Sequence, residues 1–140
     1  MADHTDPRHL DLIGRAFDAI GAGDADALVT NYTEDYFLEL PYADPPKVVV
    51  GRDEVREYLR AAFGVFRFRL FIDEVFPTAD PGMVVVEYTS EGEVIATGAS
   101  YRNSYIGLFW FREGGICRLR EYYNPLLSAR ALAAAPAGDG

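Results

Sequence analysis

The sequence is short of several things, and each shortage removes a class of protein. Cysteine occurs once, at Cys117, so no disulfide can form within the chain, and a reducing cytoplasm is the expected location. No segment approaches the roughly 18 consecutive apolar residues of a membrane-spanning helix. Residues 1–9 lack the apolar stretch of a secretory signal. Basic residues are in deficit, 13 against 22 acids, for a net charge of −9. That balance suits neither nucleic acid nor an anionic membrane, and neither is expected as a partner. The two histidines, His4 and His9, have no acid at ligand spacing, so no metal site is expected. No glycine-rich phosphate loop follows a strand, and no cofactor is expected.

Aromatic residues, by contrast, are plentiful. Nine Tyr and nine Phe in 140 residues exceed what a small core needs, and they also suit the walls of a ligand cavity. The length fits one domain over 1–140, with 1–5 and 135–140 expected to be disordered. His4 falls in that tail, and His9, in the first turn of a helix, is expected to be exposed.

Asp6-Pro7 is a helix start, and Leu10, Ile13, Phe17 and Ile20 follow at helical spacing until the glycines at 21 and 23. Asp24 or Asp26 can cap a shorter helix carrying Leu28, Val29 and Tyr32 inward. Residues 36–40 read as a strand stopped by a proline-rich loop, and 48–50 as a brief extended run. Asp53 is the expected cap of a third helix with Val55, Tyr58, Leu59 and Ala62 on one face. From Phe66 the period becomes two, giving strands from 66, across "MVVVEYTSEGEVIATG", over 101–113 and over 116–124. "REGG" is a tight hairpin turn, Pro125 ends the last strand, and a short closing helix follows. Helices followed by a mostly antiparallel sheet give an α+β fold, in which a curved sheet over the helices leaves a conical space.

The last strand poses a question. Alternation puts Cys117, Leu119, Glu121 and Tyr123 on one side and Arg118, Arg120, Tyr122 and Asn124 on the other. The lone acid therefore shares the apolar face, away from the arginines. A carboxyl group in an apolar cavity has its charged form desolvated and its pKa raised, which equips it to accept and return a proton. The structural alternative is an ion pair with an arginine from the first or third helix, or a wet rim. On the strand before it, Tyr101, Asn103 and Tyr105 share a face. There Asn103 can orient a carbonyl and a tyrosine can stabilise an enolate, although such stripes also build cores and dimer interfaces. Asn124 reads as a strand terminator, and Cys117 as a small buried hydrophobe.

Four segments carry a resemblance: "VVVGRDEVREYL", "VFPTADPGMVVVEYTSEGEV", "YRNSYIGLFWF" and "REGGICRLREYYNPLLSARAL". From about Asp6 to Leu132 the chain resembles the nuclear transport factor 2-like superfamily, most of all its SnoaL-like and phenazine biosynthesis A/B-like branch. The resemblance implies a cone-shaped, mostly antiparallel sheet on three N-terminal helices (a cystatin-like α+β barrel), usually paired into a homodimer through the outer sheet face. The alternating Phe66, Phe68, Leu70 and Ile72 permit such pairing.

Ketosteroid isomerases of this fold carry acids at positions that match Leu40 and Gly107 here, neither of which can move a proton. The SnoaL-like and phenazine A/B proteins carry an acid on the last strand, matching Glu121. The phenazine proteins pair it with a histidine, where this chain has Tyr58, a poor base at neutral pH. The expectation is a small cofactor-free enzyme of isomerase, cyclase or dehydratase type. Glu121 is its catalytic residue, and Tyr58, Asn103, Tyr101, Tyr105, Leu119, Tyr123 and Leu40 bind an apolar carbonyl compound. A non-catalytic ligand-binding domain is the alternative. A purely structural dimerisation module is a third reading, and it requires the cavity to be filled by side chains.

Overall fold

The first helix begins where the Asp6 side chain accepts a hydrogen bond from the Arg8 amide at 2.9 Å, with Pro7 in the first helical position. In the computed structural model, which describes residues 5–136, this helix α1 spans Pro7–Ala22 and ends at Gly23. His4 and most of the terminal residues expected to be disordered lie outside the described residues. Helix α2 (Ala25–Val29) is capped by Asp24. It stops before Tyr32, contrary to expectation, because the Asn31 side chain donates to the Leu28 carbonyl at 3.1 Å and ends the helix. Tyr32 instead opens strand β1 (Tyr32–Leu40), where it stacks on Tyr36 at 3.7 Å.

Strand β2 (Lys47–Val50) leads to helix α3 (Arg52–Phe63). Its N-cap is Gly51, not Asp53. Asp53 and Glu54 lie in the first turn, where their charges complement the positive end of the helix. Strands β3 (Phe66–Pro77), β4 (Met83–Val94), β5 (Ser100–Arg112) and β6 (Gly115–Tyr123) follow, and helix α4 (Pro125–Ala133) closes the chain. The β5–β6 turn places Glu113 and Gly114 at φ 53° and 76°, the left-handed pair of a type I′ hairpin.

The six strands form one sheet in the order β2-β1-β6-β5-β4-β3, antiparallel except for the β1–β6 pair. This is the expected α+β cone. Helix α1 lies against β3 and α3 against β1. Ile13, Leu28, Val55, Val86 and Ile116 are fully buried between the layers, each contributing roughly 1.5–3 kcal/mol. Among the described residues no helix is long and apolar enough to cross a membrane.

Two expectations about single residues change here. His9 is only 15% exposed and stacks on Phe111 at 3.9 Å. It shares the helix face of Leu12, Ile13 and Ala16, which is buried. Cys117 leaves the face of Glu121 because the β5–β6 register shifts there. Trp110 pairs with Arg118 and Phe111 with Ile116, so Cys117 is the extra, half-buried residue of a bulge.

Further register shifts, between Ile72 and Glu74 and between Tyr32 and Phe37, bend the sheet into its cone. At Gly92 the bend becomes a close crossing, since a Cβ there would stand 2.0 Å from the Arg67 carbonyl and 2.5 Å from Phe68 Cα. Both obstacles are backbone and cannot swing aside. Gly92→Ala is therefore expected to destabilise the fold by about 3 kcal/mol or to prevent folding, read from the urea midpoint.

Candidate functional site

The inner faces of β1, β3, β5 and β6, closed by α3 and α4, enclose a cavity of about 320 Å³. The cavity is not filled by side chains, as a purely structural module would require. Glu121 lies in its wall beside Leu119 and Tyr123, so the acid of the last strand faces the cavity. Its charged form has lost water without gaining a cation. No Lys, Arg or His lines the cavity, and Glu121 makes no ion pair among the described residues. The two arginines of β6 point to the other face, where Arg118 and Arg120 approach Glu39 at 2.7 and 3.5 Å. Arg118 also lies over the Trp110 ring at 4.2 Å.

Among the described residues the one hydrogen bond to Glu121 comes from β4, where the Tyr88 hydroxyl donates a short bond to Oε2. Oε1 receives none among the described residues. Gly107, paired with Glu121 across the sheet, makes this contact possible. A Cβ at that position would stand 2.8 Å from the Tyr88 hydroxyl and 2.7 Å from the Phe109 ring. Burial pushes the carboxyl from the ordinary glutamate value of 4.5 up to about 7, with the Tyr88 hydrogen bond partly opposing it. Burial also holds Tyr36 and Tyr88 well above the usual phenol range, and the Glu121 charge adds to this. The Tyr58 phenol is raised by the same two causes, so it keeps its proton at neutral pH.

Tyr58, Tyr101, Tyr105, Leu119, Tyr123 and Leu40 all line the cavity that holds Glu121. Asn103 does not. It is 3% exposed, and its amide donates to the Tyr101 hydroxyl at 2.9 Å and the Asn124 carbonyl at 3.0 Å. Its side-chain oxygen accepts from the Ser104 and Asn124 amides, so every part of the group is engaged in holding the start of α4. The Tyr105 hydroxyl is likewise committed, donating to Ser90 at 2.9 Å, so the ring of Tyr105 faces the cavity without a free donor. Asn124 ends β6 and caps α4 through the Leu126 amide.

Sequence reasoning missed Tyr36, Tyr88 and Ser128. The period of two offered a signal for Tyr88, which alternates in phase with the buried Val84, Val86 and Ser90, and for Tyr36, in phase with Leu38 and Leu40. Nothing local marks Ser128. Phe66, Phe68 and Leu70, expected to permit pairing, line the cavity instead. Among the described residues no group of three or more His, Cys, Asp or Glu can hold a metal ion.

The raised carboxyl has a consequence for stability. Between the unfolded value near 4.5 and the folded value near 7 the native state keeps a proton that the unfolded chain loses, so stability falls as pH rises through that window. Glu121→Gln removes the titration. Chemical denaturation of the two proteins across pH 4 to 8 is expected to show an extra decline in the wild type, up to roughly 3 kcal/mol, and none attributable to this site in the variant.

Comparison with known proteins gives the family of the chain. The uncharacterized protein YesE of Bacillus subtilis is 34% identical over 103 residues, 71% of this chain and 70% of the relative. The uncharacterized PhzA/B-like protein PA3332 of Pseudomonas aeruginosa is 31% identical over 112 residues, 79% of each chain. The crystal structure of a proposed isomerase from Bacillus subtilis superposes with a TM-score of 0.86 at 25% identity, covering 96% of this chain and 99% of that one. The family model for the SnoaL-like domain matches residues 13–119. The chain belongs to the SnoaL-like domain family, within the nuclear transport factor 2-like superfamily.

Proposed function

We propose that this protein is a cofactor-free enzyme that moves a proton on an apolar, carbonyl-bearing small molecule, with Glu121 as the catalytic acid and base. The observation that carries this reading is a single carboxyl in the wall of an aromatic cavity, held by Tyr88 and tuned to about 7 without a counter-cation. Deprotonated Glu121 takes a proton from the carbon next to the carbonyl, and the same carboxyl then returns it to another carbon or to oxygen. Tyr88 holds Oε2, leaving Oε1 to do the transfer. Isomerisation, aldol cyclisation and dehydration all share this step.

The other reading, a binding domain without turnover, draws on Tyr58, which keeps its proton where the phenazine relatives have a histidine. A cytoplasmic location, resting on the lone cysteine, belongs to the same proposal.

The proton-transfer reading is tested by solvent-deuterium exchange into a ketone probe such as β-tetralone, followed by NMR. The exchange rate should rise about tenfold per pH unit below 7 and level off above it, as a base of that pKa requires. Glu121→Gln should lower the rate at least a hundredfold. Exchange by the variant at the wild-type rate would leave only the binding reading.

We also propose that two copies pair through the outer sheet face. There Phe71, Phe76 and Ile106 are 44%, 38% and 41% exposed, and the β3–β4–β5 register places them on one side with Val85 and Leu108. Sedimentation is expected to show a dimer that Ile106→Glu converts to monomer; a monomeric wild type would rule the pairing out.

A further inference from the structure

An enolising ketone needs a partner at its oxygen as well as a base at its carbon, and the wall of the Glu121 cavity has no Lys, Arg or His to supply one. The donors must therefore be neutral. Seven residues of the wall carry hydroxyls, and five of these cannot serve. Tyr105 donates to Ser90, which leaves Tyr101 to donate to Tyr105. Tyr32 and Tyr36 are stacked at 3.7 Å with their hydroxyls as hydrogen-bond neighbours. The Ser128 hydroxyl is sealed inside the protein.

Tyr58 and Tyr123 are different. Both are half-buried, their hydroxyls are not closed off, and neither makes a hydrogen bond among the described residues. Tyr123 follows Glu121 by two residues on the same face of β6, so the two side chains leave the strand roughly 6.7 Å apart. One carbonyl and its neighbouring carbon can bridge that gap, with a hydrogen bond at either end. Tyr58 reaches the cavity from α3. The Glu121 charge bears on both phenols and Tyr58 bears on Tyr123, so the three groups are close enough to share one small ligand. Burial raises both phenols and keeps their protons in place for donation. One cation lies just outside the wall, where Lys47 Nζ stands 5.3 Å from the centre of the Tyr58 ring in a recess shared with Glu54 and Glu57.

We propose that Tyr58 and Tyr123 are the electrophilic half of the site, two neutral phenols that donate hydrogen bonds to the substrate's carbonyl oxygen as negative charge gathers there. This rests on proton transfer by Glu121 and supplies its counterpart. The C–H bond beside the carbonyl breaks, and its proton bonds to Glu121 Oε1. Its electron pair becomes the carbon–carbon double bond of the enolate, and the carbonyl π pair moves onto oxygen. Both phenols keep their protons throughout. Tyr58, a poor base, is in this role a sound donor.

The probe is para-nitrophenol, whose ionised form mimics an enolate oxygen and absorbs visible light, so neutral and ionised ligand are counted separately. It is titrated into Glu121→Gln, which removes the competing charge. The phenolate should bind at least tenfold more tightly than the phenol. Tyr58→Phe and Tyr123→Phe, each added to Glu121→Gln, should weaken the phenolate about tenfold and the neutral phenol about threefold at most. A tyrosine that only fills space would move both alike. Lys47→Gln should leave the preference in place. Introduced singly into the wild type, each tyrosine substitution should lower kcat for deuterium exchange into β-tetralone about tenfold. KM and the pH at which the rate levels off should not move.

Equal affinity for phenol and phenolate, or a preference that survives both tyrosine substitutions or vanishes with Lys47, would overturn the assignment. If one tyrosine variant does not fold, the other and the Lys47 control decide the matter. A phenolate preference that depends on the two tyrosines, without exchange by the wild type, sinks proton transfer and supports the pair as an oxyanion site. Exchange with kcat unchanged in both variants sinks the pair alone.

Discussion

The hydrogen bond from Tyr88 to Glu121 is the contact around which the site is organised. A carboxyl taken out of water needs either a cation or a donor, and among the described residues this fold supplies a single neutral donor. Because no cation is supplied, the charged and protonated forms come close in free energy near neutral pH. Because one donor is supplied, the side chain has a fixed orientation. The geometry of the bond reaches back into the backbone, since Tyr88 can lie beside Glu121 only where β5 has no side chain, at Gly107. A residue type that looks like a loss when compared with ketosteroid isomerases is therefore part of how this chain holds its acid.

The two faces of the sheet divide the electrostatics. The pleat sends Glu121 inward and Arg118 and Arg120 outward, where Glu39 and the rings of Trp110 and Phe37 receive them. Both arginines stay partly hydrated there, and the inner face keeps its low polarity. If the order of a single pair were reversed, an arginine would lie within reach of Glu121 and hold it ionised. The alternation of charge along β6 is thus the covalent record of the carboxyl's pKa.

Much of this could be read in the sequence, where the period was long and regular. The strands from Phe66 onward, the hairpin at Glu113-Gly114 and the placing of Glu121 on the apolar face of β6 all follow from alternation that tertiary contacts leave undisturbed; which face is the inner one needed the curvature of the sheet. The errors fall where a contact distant in sequence decides. The helical period through Leu28 and Val29 continues numerically to Tyr32, but the Asn31 side chain ends the helix first. A first-turn position alone marks His9 as exposed, whereas β5 packs against it through Phe111. Asn103 has the chemistry of a ligand-binding amide, and only the fold shows that Asn124 has already engaged it. The bulge that turns Cys117 off the Glu121 face leaves no mark in residue type. Ser128 needed the docking of α4 before its place could be known.

That docking has a consequence for the order in which the cavity comes into being. Every other element that lines it is complete by residue 123, but α4, which brings Ser128 and Leu132 to the cavity, is fastened through Asn103, one strand earlier, and the cap at Asn124. During synthesis the sheet can therefore pair in full while the aromatic interior still lies open to water. The segment that follows β6 seals it. Opening the same fastening later, without unpairing a single strand, would give a small molecule a way in and out of a rigid cone.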